Sequence, residues 1–261
     1  AISGPVKIFS ASGQQIDVKE GSATALPSLQ SYPLHLRQAL MASEEARFGW
    51  NSGIDPFGTL RSALFGTGGG SGLTQQVARM VYSDVGRDLS LTRKLRELWV
   101  ALQLEVGFSK NTILKLYLDR AYLGLGTEGF EQASQLYFRK SATALDVGQA
   151  AFLVGLLPSP NGYSPCNKDD PGAGLQRRNL VLKLMHEQGW LSDQGLIDAQ
   201  RRPLNIDPSA CRESSFSSYP YFADYVIGEL QGTRFGLDLS SAEASGNYAV
   251  FSTIDPSLQA L

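Results

Sequence analysis

The feature that most constrains this sequence is its longest apolar run, Ala150-Ala-Phe-Leu-Val-Gly-Leu-Leu-Pro158. Counting its glycine and proline it reaches nine residues, about half of the ~20 that a membrane span needs. The run sits within Leu145 to Leu157, which reads as a helix apolar on nearly every side. Such a helix belongs in the middle of a core. Pro158-Ser-Pro160 stops it.

The other patterns are mostly helical. Leu34 to Phe48 has amphipathic spacing, with Glu44 and Glu45 near its C-terminal end, where carboxylates oppose the helix dipole. Leu73 to Tyr82 gathers Gln76 and Arg79 on its polar side. Two helices divided at Gly107-Phe-Ser109 fill Ser90 to Tyr122, with Ser109 as a cap for the second. Gly129 to Phe138 and Leu175 to Gln188 follow, the latter closed by Gly189. Val6 to Val18 alternates around a Ser-Gly turn and predicts a hairpin. Tyr219-Pro-Tyr-Phe222 precedes a predicted helix to Leu230, and Tyr248 to Thr253 predicts a strand.

The 261 residues carry 23 Lys and Arg against 25 Asp and Glu, a formal charge of -2. There is no global basic field, so nucleic acid is not an expected partner. Gly66-Thr-Gly-Gly-Gly-Ser-Gly72 holds five glycines in seven residues and leads straight into a helix start. Backbone N–H groups there can face an anion. That loop carries no GxGxxG, and GKS or GKT is absent, so it is neither a Rossmann turn nor a P-loop. The cysteines, Cys166 and Cys211, form no CxxC pair, and one long-range disulfide competes with two separate buried thiols.

Glu44 and Glu97 fall on separate helices, with Arg79, Arg93 and Lys94 close to the second in sequence. Taken alone, Arg93 and Glu97 make an ordinary helix pair four residues apart, worth about 0.2–0.5 kcal/mol. Two acids among cations also suit transfer at an anomeric carbon. One acid deprotonates the attacking hydroxyl while the cations neutralise a leaving phosphate.

Four ordered motifs favour the second reading. Glu44-Glu-Ala-Arg-Phe48 with Gly53-Ile-Asp55, then Gly69-Gly-Ser-Gly-Leu-Thr-Gln-Gln76, then Arg93-Lys-Leu-Arg-Glu97, then Leu116-Tyr-Leu-Asp-Arg-Ala-Tyr-Leu-Gly124, resemble the peptidoglycan glycosyltransferase domain of family 51. That domain occurs in bifunctional class A penicillin-binding proteins and in monofunctional glycosyltransferases. The resemblance covers roughly residues 5–205. It implies a glycosyltransferase domain over 1–205 and, over 206–261, a linker toward a C-terminal transpeptidase-like module. No SxxK nucleophile signature occurs in the chain.

The resemblance implies a mainly α-helical, lysozyme-like fold with head and jaw lobes and a small N-terminal β element. It implies that lipid II is polymerised into β-1,4-linked glycan with release of undecaprenyl diphosphate. Glu44 matches the general base and Glu97 the second glutamate, which serves the donor diphosphate. Glu45, Phe48, Asn51, Ser71, Gln76, Arg79, Arg93 and Lys94 match the substrate-lining set. A divalent cation, Mg2+ or Mn2+, stays open as a helper of the diphosphate. The implied partners are lipid II, the nascent glycan strand, a membrane surface met by the jaw lobe through Trp50 to Phe65 and Met80 to Leu89, and cell-wall synthesis proteins. The implied location is the extracytoplasmic, periplasmic face of a bacterial inner membrane, with an anchor upstream of Ala1.

The chain departs from the family pattern at six places. Glu45 stands where aspartate is usual, Asn51 for histidine, Gly72 for threonine or serine, Met80 and Asp119 for asparagine, and Arg139 for glycine. Two other functions remain open on the same residues: a domain that binds lipid II, glycan or a partner without transfer, and a hydrolase of the same polymer. The Gly69 to Gln76 loop favours transfer.

Overall fold

The computed structural model describes residues 6–19, 25–46, 48–49, 72–81, 91–213, 226, 230 and 248–255. The chain falls into two compact units, Leu26–Ile206 and Ala1–Ala25 with Asp207–Leu261. The larger is helical: α1 (Leu34–Glu44), α2 (Leu73–Val81), α3 (Leu91–Gly107), α4 (Lys110–Arg120), α5 (Phe130–Phe138), α6 (Val147–Leu156), α7 (Ala173–Glu187) and α8 (Asp193–Arg201). The smaller holds β1 (Val6–Phe9), β2 (Gln15–Lys19), the short α9 (Ala210–Glu213) and β3 (Tyr248–Phe251). The mainly α expectation holds.

The apolar run forms α6, and every residue from Gly148 to Leu156 is buried. Asp146 starts it with a capping box: its carboxylate accepts from the Gln149 N–H at 2.9 Å, and Gln149 Oε1 accepts from the Asp146 N–H at 3.2 Å. α1 and α7 pack against α6 and against each other. Gly155 allows this, since a Cβ there would sit 3.2 Å from the Cβ of Arg177 on α7. Burial of Phe152, Leu153, Val154 and Leu156 contributes about 1.5–3 kcal/mol per side chain. A second packing group joins α2 to α3 and α4.

Helix ends follow capping chemistry. Ser109 Oγ accepts from the Thr112 N–H at 3.2 Å and starts α4 as expected. α7 ends at Gly189, whose φ of 76° permits the Trp190 N–H to reach the Met185 carbonyl at 2.9 Å. α5 ends on Arg139, a non-glycine residue held left-handed at φ 53° and ψ 34°. α8 buries none of its residues, so no apolar face announces it in the sequence. Its signal is Ser192, which caps the Gly195 N–H at 3.1 Å. The buried Arg178 guanidinium donates to the carbonyls of Ala199, Gln200 and Arg202 at the other end of α8.

One helix is shorter than expected. α1 stops at Glu44 rather than Phe48, because Glu45 turns to an extended backbone at φ -161°. Its N–H still closes the helix on the Met41 carbonyl, and its own carbonyl accepts from the Phe48 N–H at 3.0 Å.

In the smaller unit, β1 pairs antiparallel with β2, as the hairpin pattern predicts, and parallel with β3. Phe9 and Phe251 stack at 4.9 Å across the parallel pair. Both Cys166 and Cys211 are disulfide-bonded, and no free thiol remains. The helix predicted after Phe222 and up to Leu230 lies outside the described residues except for Val226 and Leu230.

Candidate active site

The site is organised by α2. Glu44, the last residue of α1, accepts from Gln76 Nε2 through its Oε2 at 2.9 Å. Gln76 Oε1 in turn accepts from the Tyr117 hydroxyl on α4 at 3.0 Å. The amide of Gln76 is thereby oriented from both sides, nitrogen toward Glu44 and oxygen toward Tyr117. Tyr117 is buried, and burial together with the charge of Glu44 pushes its phenol far above the usual tyrosine range. It therefore stays a donor.

One turn further along α2, Arg79 Nη2 donates to Glu97 Oε2 on α3 at 3.0 Å. Lys94 Nζ, one turn before Glu97 on α3, donates to Glu97 Oε1 at 2.6 Å and to Gln75 Oε1 at 3.2 Å. The Glu97 side chain is 0% exposed, against 46% for Arg79 and 32% for Lys94. Burial raises the Glu97 carboxyl, but the bonds and charges of Lys94 and Arg79 outweigh it and hold the group below the usual glutamate range. Glu97 is a fixed anion that orders two partly exposed cations.

Glu45 is buried, and its Oε2 accepts from the Leu73 N–H at 2.7 Å. The first N–H of α2, which the glycine-rich approach offered to an anion, is therefore engaged by this carboxylate. Phe48 is buried beneath the Glu45 turn with Lys110 Nζ 4.5 Å from its ring centroid. Lys110 also pairs with Glu105 at 2.8 Å, and Glu105 accepts from the Thr74 hydroxyl of α2.

Residues 12–186 match the family model described as Transglycosylase. The chain belongs to the transglycosylase family. Penicillin-binding protein 1A of Aquifex aeolicus (strain VF5) is 36% identical to it over 205 residues, covering 76% of this chain and 27% of that protein. Penicillin-binding protein 1A of Escherichia coli (strain K12) is 32% identical over 262 residues, covering 98% and 29%. Penicillin-binding protein 1B of Haemophilus influenzae is 34% identical over 247 residues, covering 90% and 30%. The chain thus spans less than a third of the length of these relatives. The crystal structure of Penicillin-binding protein 1A from Haemophilus influenzae aligns with all of this chain and 28% of that one, at a TM-score of 0.48 and 21% identity.

Within this transglycosylase domain, α2 tethers Glu44 and Glu97 through Gln76 and Arg79, residues on one helix face, and brings Lys94 to the same group. Asn51 and Ser71, and the side chain of Arg93, lie outside the described residues. Asp119 accepts from the Tyr32 hydroxyl at 2.8 Å and pairs with Lys115. Met80 is exposed, and nothing in the structure explains it.

The Mg2+ or Mn2+ that the resemblance allows would draw most of its oxygens from diphosphate and water rather than from the described residues. Among them no three His, Cys, Asp or Glu side chains are placed to hold a metal, and both carboxylate oxygens of Glu97 face cations. Sequence reasoning missed Tyr117, which looked like one more apolar position of α4. A tyrosine rather than phenylalanine inside an apolar stripe was the available signal, since a buried phenol requires a partner.

Proposed function

We propose that this transglycosylase domain polymerises lipid II into β-1,4-linked glycan, with Glu44 as general base. The observation that carries the reading is the placement along α2 of an oriented carboxylate, Glu44 held by Gln76 and Tyr117, beside a cation group, Arg79 and Lys94 ordered by Glu97.

The chemistry follows. The 4-hydroxyl of the acceptor sugar attacks C1 of the donor chain, and its proton passes to Glu44. The bond from C1 to the diphosphate oxygen breaks, and the electron pair leaves with undecaprenyl diphosphate. Gln76 fixes the direction from which Glu44 takes the proton. Arg79 and Lys94 meet the charge growing on the leaving group, and Glu97 keeps them in place before the reaction begins.

A membrane surface is the setting in which such a lipid substrate arrives. Among the described residues no helix is long and apolar enough to cross a membrane. α3 instead presents Leu95, Trp99, Leu102 and Val106 on its exposed side, with Phe108 just beyond, and Trp99 is 64% and Val106 91% exposed. The spacing of four, three and four makes one stripe opposite the buried Glu97, Ala101 and Leu104. That stripe supports docking on the outer face of an inner membrane, beside cell-wall synthesis proteins. Residues 50–65 and 82–89, expected to serve this purpose, lie outside the described residues.

The deciding experiment supplies purified lipid II in detergent and compares the chain with Glu44→Gln and Glu97→Gln. Polymer from the parent, with a loss of about 10²–10⁴-fold in Glu44→Gln, is the expected outcome. Saturable lipid II binding without polymer would instead favour a binding domain. A product with a new reducing end would mean hydrolysis.

A further inference from the structure

The first N–H groups of a helix have no partner inside it and are usually met by the side chain of the residue just before. For α2 that residue is Gly72, which has no side chain to offer. The cap comes from 28 residues earlier in the chain, where Glu45 Oε2 accepts from the Leu73 N–H through a buried bond of 2.7 Å. The backbone at Gly72 is not left-handed, so conformation does not demand glycine there. Space does. A Cβ on residue 72 would lie 2.8 Å from Glu45 Oε2 and 3.2 Å from both Cδ and Oε1.

We infer that Glu45 is a positioning residue for Glu44, and that Glu45 and Gly72 act as one unit in which a long carboxylate replaces the missing cap side chain. Glu44 and Glu45 are neighbours, and each is tied to α2, Glu45 at its first residue and Glu44 at Gln76. Gln76 is one turn beyond the cap, its N–H bonded to the Gly72 carbonyl at 3.0 Å. Two bonds thus fix the end of α1 against the start of α2, and the Glu44 carboxylate cannot swing without breaking one of them. A displacement of about 1 Å at a reacting group can cost about 10²-fold in rate. The inference deepens the polymerase reading and rests on it.

The test uses the whole chain with Gly72→Ala, Glu45→Asp, and the double variant Glu45→Asp with Gly72→Ser. Each is assayed for kcat and KM on lipid II and for hydrogen exchange at the Leu73, Thr74 and Gln75 amides. The carboxylate is the movable end of its side chain, so Gly72→Ala displaces it and removes the cap while the backbone stays. Expected are a fall of at least about tenfold in kcat with KM within about twofold, and Leu73 exchange faster by at least about tenfold. Glu45→Asp, one methylene too short, shifts both in the same direction. In the double variant the shorter acid leaves room and the serine hydroxyl caps the N–H groups two and three residues on, Thr74 and Gln75, so the start of α2 is held again, kcat recovers to within about threefold of the parent and exchange at Thr74 and Gln75 slows. Unchanged kcat and exchange in Gly72→Ala, or a double variant as impaired as the product of the singles, would overturn the pairing. Leu73 exchange requires no substrate. If the parent makes no polymer, the polymerase reading falls and the cap is judged on exchange alone.

Discussion

Gln76 and Arg79 stand three residues apart on α2 and hold different glutamates, Glu44 at 2.9 Å and Glu97 at 3.0 Å. The helix rises about 4.5 Å over that interval. It is a rigid spacer between the acid proposed to take the proton and the acid that orders the cations. Side chains three apart on a helix share a face, so both glutamates are drawn to one side of α2 from two other helices.

Loss of the amide relay is expected to show first in turnover. Tyr117→Phe removes the donor to Gln76 Oε1, with about 1 kcal/mol of stability and a kcat lower by severalfold. Gln76→Leu removes both bonds, and kcat is expected to fall by about 10²-fold. If Tyr117→Phe in the Gln76→Leu background costs as much again as it does alone, the relay is not a unit.

Acid should weaken the protein partly through Glu97. Its folded carboxyl is held below the usual range, so its contribution is fully present above the unfolded value of about 4.3 and is lost as pH falls through the depressed folded value. Glu97→Gln is expected to cost about 1–3 kcal/mol at pH 7, since Arg79 and Lys94 are exposed enough to be rehydrated. The gap in Tm between parent and variant should narrow steadily below about pH 4. A constant gap down to pH 2.5 would contradict the ion-pair account.

Arg139→Gly should stabilise the chain. A left-handed non-glycine residue costs about 1–2 kcal/mol, partly offset by the chain entropy that glycine loses. The expected net gain is about 0.5 kcal/mol, visible as a small rise in Tm in thermal unfolding. A fall in Tm would show that the arginine side chain contributes more than its backbone strain removes.

Vesicle binding should depend on the α3 stripe. Trp99→Ser with Val106→Ser removes two exposed apolar side chains, each worth about 1.5–3 kcal/mol if fully buried in lipid. Partition onto anionic vesicles is expected to fall by at least about tenfold and to persist at 0.5 M salt in the parent. Binding that salt abolishes in the parent would assign the contact to head-group charge.

Helices that announce themselves by apolar run, cap and stop were legible residue by residue. α6 is the clearest case: the apolar run and Pro158 predict Leu145 to Leu157, and the helix spans Val147–Leu156. The roles proposed for Glu44 and Glu97 come from motif order, where the residue types name a chemistry. The bond from Glu45 to the start of α2 could not be read, since its partner is a backbone N–H far along the chain and periodicity carries no record of that. The same holds for α1, which local pattern extended to Phe48 and tertiary contact ended at Glu44. The exposed stripe on α3 was hidden because its apolar residues occur on both sides of the helix, and sequence alone does not tell a covered face from a bare one.

The parallel pairing of β1 with β3 sets an order for folding during synthesis. The Phe9 carbonyl meets the Ser252 hydroxyl from 243 residues further along. At about 5–20 residues per second a ribosome needs on the order of 10–50 s to make that interval. The residues of α1 to α8 are all synthesised first, so the helical unit can be complete while β1 still has an unpaired edge, the kind of surface that recruits stray strands. A factor that shields β1 on the nascent chain over that interval would improve the yield of native protein without altering its final stability.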